Sequence, residues 1–515
     1  MLPPAADDRE IELKLLVDPA AMEALRRAPE ILERASGRPE VRRLENVYYD
    51  TADRRLRKKG LALRVRRRGR RFVQTLKAAG PAGDALERAE WEVPVPSGAP
   101  DIAAFGPSAR EALGLLTPSE LQPVFTTRVR REQFLLDLGD GTAIEAAFDQ
   151  GRILATGSSE PISEIELELK EGQPAALYRL ALKLHRVAPV RPSVRAKSDR
   201  GHDRAAGIAP AWRKAGKLAL DPAGSAEDAL EKVLRHCLAH WLSNESAAED
   251  GSDPEGVHQM RVALRRLRSA AALFRPLLPA RDSDWLTAET RWIAAALGPA
   301  RDWDVFLAET VEPLERAAGR GDAGLRDLRE RAETARGEGY EGVRRLLAAP
   351  RYAAFLLTFG AWLEERGWRS PGMEAALSRP VTRLAAAALD RRHRKLLKAG
   401  RHFGRLTPEE RHEVRIALKK LRYAVDFFRS VPPAGQPAGK MKAYRKALGG
   451  LQDALGHMND GVTACKLLDA LGADGRAAGL VLGWHARGAE ALEPKLLAAW
   501  NGFAQARPFW KAGNH

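Results

Sequence analysis

Cysteine is nearly absent from this sequence, which has only two in 515 residues. Cys237 and Cys465 lie far apart in helix-like segments, so neither a disulfide framework nor a zinc cluster can form. Long apolar stretches are also absent, because no run approaches the ~18 uninterrupted apolar residues of a membrane-spanning helix. We therefore expect a cytoplasmic protein with no membrane partner.

Aromatic residues are scarce as well, at 6% of the chain, and they do not alternate with the basic residues. Proteins that bind single-stranded nucleic acid need aromatic side chains on which bases stack, so nucleic acid is a weak candidate ligand. The chain does have an excess of positive charge, with 84 Lys plus Arg against 68 Asp plus Glu and a net charge of +16. This balance favours a polyanionic partner.

Two different periodicities divide the chain. Residues 10 to about 203 alternate apolar and charged side chains over short runs, which predicts β-strands, with a hairpin turn at Gly139-Asp140-Gly141. From about residue 226 the sequence is rich in Ala, Leu and Arg with a 3.6-residue period, which predicts helices. We predict domains at residues 1–206 and 226–515, joined by a linker at 207–225 that contains Pro and Gly.

The predicted strands carry their charges on one face. Residues two apart in a strand share a face, so Glu10, Glu12 and Lys14 project together, opposite to Ile11 and Leu13. The same parity groups charged side chains in other strands: Arg64 with Arg66, Thr75 with Lys77, Glu90 with Glu92, Arg128 with Arg130, Glu145 with Asp149, and Glu164 with Glu166, Glu168 and Lys170.

A solvated surface explains this pattern in any single strand. Its recurrence across six strands favours a closed sheet whose charged face lines a wet interior, because buried ions are costly in a dry core. Arg and Lys side chains would hold a polyanion there. Carboxylates would hold a divalent cation, since Mg²⁺ binds through one or two carboxylates together with phosphate oxygens.

These motifs resemble the CYTH domain of the triphosphate tunnel metalloenzymes, over about residues 10–204. They occur in that family's order: Glu10-Ile-Glu12-Leu-Lys14, Tyr48-Tyr49-Asp50-Thr51, Leu63-Arg-Val-Arg66, Thr75-Leu-Lys77, Glu90-Trp-Glu92, Ile165-Glu-Leu-Glu168 and Lys197-Ser-Asp-Arg200-Gly201. The resemblance implies a closed eight-stranded antiparallel β tunnel that hydrolyses or cyclises triphosphate substrates with Mg²⁺ or Mn²⁺.

The resemblance also implies roles for individual residues. Metal-binding carboxylates would be Glu10, Glu12, Glu166 and Glu168, while Glu92, Glu145 and Asp149 match by spacing more than by motif. Phosphate ligands would be Lys14, Arg64, Arg66, Lys77, Arg128, Arg130 and Lys197, and Arg200 would contact substrate or seat the end of the domain. Lys14, Glu12 and Glu168 are the candidate catalytic residues, because a Glu or Lys can assist a metal-polarised water.

The helical half contains an internal repeat of basic residues. The segment from His258 to Arg268 returns 154 residues later from His412 to Arg422. Offsets of zero, three, seven and ten fall on one helical stripe, which gives two basic stripes: His258, Arg261, Arg265 and Arg268, and His412, Arg415, Lys419 and Arg422. Like charges at these spacings repel, so each stripe needs a counter-charge, either a bound polyanion or carboxylates such as Asp302, Asp304, Asp453 and Asp460.

The two stripes resemble those of the CHAD domain, over about residues 226–509. That family implies an all-α domain of two related four-helix bundles that is associated with polyphosphate. Lys419 departs from the first copy, which has Arg265 at this position, and a lysine loses the bidentate fork of the guanidinium.

The combined resemblance is to bacterial inorganic triphosphatases that join the two domains. We expect metal-dependent hydrolysis of inorganic triphosphate or short polyphosphate in the tunnel and binding of long-chain polyphosphate by the helical domain, with a location in the cytoplasm or at polyphosphate granules. The alternatives are a nucleoside or thiamine triphosphatase, an adenylate cyclase of the same fold, and a non-catalytic polyphosphate-binding protein.

Overall fold

The computed structural model describes residues 9–78, 87–318, 322–431, 438–456 and 458–511. An antiparallel sheet is followed by helices, which confirms the predicted α+β class. The strands are β1 Arg9–Val17, β2 Glu40–Thr51, β3 Leu61–Arg68, β4 Arg71–Ala78, β5 Glu87–Val95, β6 Leu121–Asp137, β7 Ala143–Ala155, β8 Ser158–Glu171 and β9 Val190–Pro192. The helices among and after them are α1 Met22–Arg26, α2 Pro29–Leu32, α3 Arg55–Lys58, α4 Pro107–Leu113, α5 Ala175–Val187 and α6 Lys197–Ala206.

The sheet closes on itself. Its strand order is β5-β4-β3-β2-β6-β7-β8-β1-β9, and β5 also pairs with β1, where Ile11 lies opposite Glu87. This pairing joins strands β1 to β8 into an eight-stranded ring, as predicted, while β9 pairs only with the end of β1. The hairpin between β6 and β7 turns at Gly139 and Gly141, whose φ angles of 77° and 75° favour glycine.

The strands have an inverted polarity, with apolar side chains outside the ring and charged side chains inside. Leu13 and Leu15 of β1 and Leu167 of β8 are buried against α5, whose leucines recur every three to four residues. The helix therefore covers the outer face of the sheet and leaves the inner face to the polar residues.

The later helices are α7 Ala226–Leu242, α8 Glu245–Asp250, α9 Glu255–Leu273, α10 Ala280–Ala296, α11 Gly298–Phe306, α12 Glu312–Ala318, α13 Ala323–Ala348, α14 Pro350–Glu364, α15 Glu374–Leu377, α16 Val381–Ala399, α17 Pro408–Phe427, α18 Ala438–Gly456, α19 Met458–Leu471 and α20 Gly475–Ala504. A π-helical turn, Leu307–Val311, joins α11 to α12. Within the described residues, no single helix is long and apolar enough to cross a membrane, and only the bent pair of α13 and α14 together meets that test.

The chain divides into two compact units, which do not follow one cut in the sequence. The tunnel unit comprises Met1–Arg213, Leu242–Ser252 and Leu347–Gly367, and the helical unit comprises Lys214–Trp241, Asp253–Leu346 and Trp368–His515. The first boundary between the two units, after Arg213, falls inside the predicted linker. Two segments of the predicted helical domain, which contain α8 and α14, thus belong to the tunnel unit.

Packing of α14 on α5 explains why this helix belongs to the tunnel unit. Leu357 and Ala361 of α14 are buried in the same apolar cluster as Leu13 and Leu167 of the sheet. Gly360 allows the closest approach, because a Cβ there would lie 2.1 Å from the ring of Tyr178. The outer apolar layer of the tunnel unit is therefore completed by a helix from far along the chain.

In the helical unit, the two copies of the repeat form α9 and α17. Each copy is followed by two further helices, α10 and α11 or α18 and α19. The second copy begins with a capping box, in which the side chains of Thr407 and Glu410 satisfy backbone N–H groups at the start of α17. Pro408 occupies the first helical position, where its missing N–H costs nothing.

Candidate functional site

A polar cavity of about 450 Å³ runs inside the ring of strands. Eight carboxylates and nine cationic side chains line it: Glu10, Glu12, Glu90, Glu92, Glu145, Asp149, Glu166 and Glu168, and Lys14, Arg42, Arg64, Arg66, Arg68, Lys77, Arg131, Lys170 and Lys197. The predicted charged interior is thus present, and most of the predicted site residues lie in it. The two signs of charge are not mixed evenly around the ring.

The carboxylates concentrate on the wall formed by β1, β8 and β7. Glu12 lies directly opposite Glu168 in the β1–β8 pairing, and Glu168 lies directly opposite Glu145 in the β8–β7 pairing. Like charges directly opposite on neighbouring strands destabilise a sheet. Three carboxylates side by side therefore favour a bound cation at this row, which we call the acidic row.

Protonation within and beside the acidic row reflects this crowding. Burial raises the pKa of Glu168, and repulsion from Glu10 and Glu145 acts in the same direction, against the pull of Lys170. Burial also raises the pKa of Glu10, partly offset by Lys77, whose Nζ lies 2.7 Å from its carboxylate. Carboxylates whose protonated form is favoured in this way gain most from a divalent ion.

A second group of carboxylates, Asp149, Glu164 and Glu166, lies deeper along the same wall, with ligand atoms within 4.8 Å of one another. These side chains already have cationic partners. Lys197 Nζ lies 2.5–2.8 Å from all three, and Arg131 forms two 2.7 Å hydrogen bonds to Asp149. Lys14 and Arg200 also pair with this cluster, so four cations oppose its three carboxylates. The acidic row has two, Lys170 at 2.5 Å from Glu168 and Lys14 at 3.4 Å from Glu12, so it keeps more negative charge and fits a metal ion better.

Lys14 and Lys197 are held as cations by these contacts. Burial opposes the charge of Lys14, but attraction to Glu166, at 3.0 Å, and to Glu164 raises its pKa above the ordinary value. Burial likewise opposes the charge of Lys197, and Asp149 and Glu164 raise its pKa well above the ordinary value. For Glu166, burial is outweighed by Lys197 and Lys14, which hold its pKa well below the usual range.

Cationic side chains concentrate on the opposite wall, formed by β3, β2 and β6. Burial, followed by repulsion from Arg64 and Arg131, lowers the pKa of Arg66 to about 9. The Nε of Arg66 donates to Asn46 at 2.8 Å, and Asn46 in turn donates to Thr127 at 2.9 Å. Arg66 is therefore fixed in place by a neutral amide while its charge is repelled by its neighbours, which favours an anion between these side chains.

Two site predictions on β6 are wrong. Arg128 and Arg130 lie on the outer face of the sheet, where Arg128 pairs with Glu45 at 3.1 Å and Arg130 pairs with Glu132 at 3.1 Å. The inner face carries the residues of the other parity, including Arg131, which the prediction missed. The sequence has basic residues in both phases here, so alternation alone could not choose between them.

Other predicted residues occupy supporting positions. Arg200 of α6 bonds to Glu160, Glu164 and the carbonyl oxygen of Pro161, at 2.6–3.1 Å, so it seats α6 on β8 outside the cavity lining. Glu92 reaches the cavity, where Thr75 donates to it at 3.3 Å. Arg42 and Arg68 also line the cavity and were not predicted. Arg68 lies on the same face of β3 as Arg66, and Arg42 lies on the same face of β2 as Asn46, which pairs with Arg66.

In the helical unit, the first basic stripe lies on α9, where cations face other cations. Burial lowers the pKa of Arg261 and of Arg268, and Arg265 repels both. Burial and then Arg301 lower the pKa of His258. The prediction missed the additional cations Arg301 of α11 and Arg291 of α10, which lie outside the repeated segment.

The stripes are only partly balanced by the carboxylates proposed from the sequence. Asp304 is engaged by Arg336 at 2.6 Å and by the hydroxyl of Tyr340 at 2.9 Å. Asp302 attracts Arg261, whose Nη1 donates at 2.8 Å to the carbonyl oxygen of Ala294. The side chain of Asp460 lies outside the described residues.

Arg422 of the second stripe lies 3.9 Å from Asp426, which was not among the proposed partners. The pKa of Lys420, which lies beside the second stripe on α17, is lowered by burial and then by repulsion from Lys395 and Arg392. Arg291 also repels Lys420 and Arg268, so this one cation of α10 lies near both repeat helices.

Comparison with known proteins identifies both parts of the chain. Residues 8–193 match the family model of the CYTH domain, and residues 232–469 match that of the CHAD domain. A protein of Haemophilus influenzae named inorganic triphosphatase is 34% identical over 165 residues, which are 31% of this chain and 45% of that protein. An uncharacterized protein of Mycobacterium tuberculosis is 28% identical over 441 residues, which are 81% of each chain.

Among solved structures, the CHAD domain from the plant Ricinus communis matches with a TM-score of 0.50 and 32% identity, covering 58% of this chain and 98% of that one. The chain is therefore a fusion of a CYTH domain with a CHAD domain, as its motifs predicted. The alignment spans less than half of the length of the Haemophilus influenzae triphosphatase.

Proposed function

We propose that the tunnel hydrolyses inorganic triphosphate or short polyphosphate with the help of Mg²⁺ or Mn²⁺. The observation that carries this proposal is the division of the cavity into an acidic wall and a basic wall. Phosphoryl transfer depends on positioning and charge neutralisation more than on covalent chemistry. A triphosphate between the two walls would meet cationic side chains on one side and metal-binding carboxylates on the other. The likeness to a named inorganic triphosphatase supports the same substrate.

The acidic row is where a metal ion would bind. Glu12, Glu168 and Glu145 supply oxygen ligands of the kind that Mg²⁺ prefers, and Glu10 lies close enough to repel Glu168. When bound, the ion supplies charge neutralisation at phosphate oxygens and a polarised water. The cluster around Asp149 remains a structural support in this proposal, because its charges are matched by lysine and arginine.

The chain's own cations bind and orient the phosphates. Arg64 and Arg66 face the cavity from β3 and would neutralise the negative charge of the substrate, while Arg131 lines the cavity from β6 and is already paired with Asp149. Lys14 holds its proton, which suits phosphate binding rather than proton acceptance. Glu168 belongs to the acidic row, so its role in this proposal is to help hold the metal that would polarise the attacking water.

The test measures phosphate release from triphosphate with Mg²⁺ or Mn²⁺, with and without EDTA, and compares ATP and thiamine triphosphate as substrates. We expect the variant with Glu10→Gln and Glu12→Gln to fold and to lose at least a hundredfold in kcat, because two carboxylates leave the metal site. Glu45→Gln is the matched control, since Glu45 lies on the outer face beside Arg128. Near-normal turnover by the double variant would show that these carboxylates do not hold the metal.

We also propose that the helical unit binds long-chain polyphosphate through the two basic stripes. The support is the clustering of cations on α9, where Arg265 repels both Arg261 and Arg268, and the presence of Arg291 near both repeat helices. A polyanion along the stripes would remove this repulsion. Joining the two units in one chain would then serve to deliver polyphosphate to the tunnel.

Binding of long-chain polyphosphate at several salt concentrations tests this second proposal. Replacing Arg261 and Arg415 by Gln should make the slope of log K against log salt shallower by roughly 1.4, if each contact contributes about 0.7 as for single-stranded nucleic acid. Turnover of triphosphate should stay unchanged. Arg281→Gln is the control, because this side chain is 90% exposed on α10. If the double variant lost thermal stability but kept its salt slope, the arginines would be structural.

A further inference from the structure

A second cavity, of about 420 Å³, lies within the helical unit between α9, α17, α18 and the chain near Gly216. Its charged lining consists of four guanidinium groups, from Arg266, Arg422, Arg429 and Arg445, and two carboxylates, from Asp426 and Asp453. Only Arg422 also belongs to the basic stripes. We call this the arginine cavity.

Arg266 is the unusual member of the lining. It is 8% exposed, its Nε has no hydrogen-bond partner, and no ion pair joins it to a carboxylate in the described part of the chain. Its guanidinium lies 5.0 Å from the centre of the Phe427 ring, an attraction that replaces only part of the lost hydration. A buried charge without a counter-charge is strongly destabilising, so Arg266 needs an anion on its open side.

The neighbouring histidine cannot supply that counter-charge. His236 Nε2 lies 2.9 Å from the carbonyl oxygen of Gly216 and therefore carries the proton, which leaves Nδ1 to accept a hydrogen bond from Arg266 at 3.4 Å. Burial, and then repulsion from Arg266 and Arg429, lowers the pKa of His236. His236 is thus neutral, and it orients the guanidinium without balancing it.

The other charges in the lining indicate how much negative charge the bound anion should carry. Asp426 lies 3.9 Å from Arg422 and 3.7 Å from Arg445, so it partly balances these two exposed side chains. Four arginines against two aspartates leave an excess of two positive charges in the lining. A phosphate group that is free or terminal carries close to two negative charges at neutral pH, whereas a phosphate inside a chain carries one.

We propose that the arginine cavity binds a phosphate dianion, either inorganic phosphate or the terminal group of a linear polyphosphate, with Arg266 and Arg429 as its principal ligands. This inference does not depend on the activity of the tunnel. The end of a chain would be distinguished from its interior by charge. Inorganic phosphate, as the product of phosphoanhydride hydrolysis, offers the same chemistry.

Cys237 provides a local probe of this site. Its thiol is fully buried, and burial raises its pKa to about 11, partly offset by the neighbouring Arg266. It can react with N-ethylmaleimide only when this region opens. In a Cys465→Ser background, which removes the exposed thiol, the labelling rate of Cys237 reports on opening at the cavity and not at the tunnel.

Labelling is measured at constant ionic strength with EDTA, in chloride, orthophosphate, linear triphosphate or cyclic trimetaphosphate. Orthophosphate at about ten times its Kd should slow labelling about tenfold, because opening then requires release of the ligand. Slowing by linear triphosphate alone would identify a chain end as the ligand. Trimetaphosphate has no terminal group, so equal protection by it would overturn the proposal, as would an unchanged rate in every anion.

Variants separate binding from folding. In Arg266→Met or Arg429→Gln, phosphate should no longer slow labelling or raise Tm, while Arg281→Gln should behave as the parent does. If Arg266→Met does not fold, Arg429→Gln and Arg445→Gln decide the question. Triphosphate hydrolysis with Mg²⁺ in the same samples should be unchanged, which distinguishes failure of this site from failure of the tunnel. Full protection by phosphate in Arg429→Gln would contradict the assignment.

Discussion

Glu245 gives the tunnel unit a stability that depends on pH. This residue of α8 is 6% exposed and accepts a hydrogen bond from the hydroxyl of Tyr352 in α14. Burial raises its pKa from the ordinary 4.5 to about 7, against the attraction of Arg191, which forms its own ion pair with Glu249 at 2.9 Å. The protonated form is therefore preferred in the folded protein.

The sign and size of the effect follow from linkage. Because the folded protein binds this proton more tightly than the unfolded chain does, the stabilisation is complete below pH 4.5 and is lost as pH rises through about 7. At 1.36 kcal/mol per pH unit, the rise in pKa corresponds to about 3 kcal/mol. Glu245→Gln keeps the hydrogen bond with Tyr352 but cannot ionise, so its stability should lack this loss.

Denaturant unfolding of the parent and of Glu245→Gln between pH 5 and pH 8 measures the difference. We expect the variant to become more stable than the parent by about 2.5 kcal/mol at pH 8 relative to their difference at pH 5, because a small part of the loss has already occurred at pH 5. Glu33→Gln is the control, because Glu33 is an exposed carboxylate of the same unit, whereas Glu249 itself repels Glu245. A difference between parent and Glu245→Gln that stays constant over this range would refute a buried carboxyl that titrates near neutrality.

Two further predictions concern the tunnel wall and the packing of α14. Arg66→Met should raise KM for triphosphate by roughly tenfold or more, because one charged hydrogen bond contributes about 1.5 kcal/mol. Arg128→Met on the outer face should leave KM unchanged. Equal effects of the two substitutions would contradict the assignment of Arg66 to the inner wall. Gly360→Ala should lower Tm by several degrees, because the new Cβ would lie 2.1 Å from Tyr178. Gly488→Ala should not lower Tm, because this position on an exposed part of α20 has open space around it. A Tm of Gly360→Ala as high as the parent's would contradict the tight packing of α14 on α5.

Most of the tunnel could be predicted because strand alternation is a local property of the sequence. Glu10, Glu12 and Lys14 have apolar residues between them, so only one phase is possible. On β6, Arg128, Arg130 and Arg131 put positive charge in both phases, and only the pairing of Arg42 with Arg131 on β2 and β6 shows which one faces inward. That information is not local.

The helical half shows a similar limit. The period of α9 and α17 predicted two helices with basic stripes, and both exist. Arg291 and Arg301 lie outside the repeat, so nothing in the motif indicated that they would lie near it. The position of α14 on α5 was also beyond prediction, since an apolar helix does not specify which surface covers it.

Packing of α14 on the tunnel unit has a consequence for synthesis of the chain. The ribosome completes the last strand of the tunnel unit before residue 213. Leu357 and Ala361 emerge about 150 residues later, which takes roughly 7–30 s at about 5–20 residues per second. During that interval the outer surface of α5 around Tyr178 is exposed on a nascent protein. We expect this surface to be a binding site for a chaperone during translation, and a chain truncated before residue 347 to aggregate even though all of its strands are present.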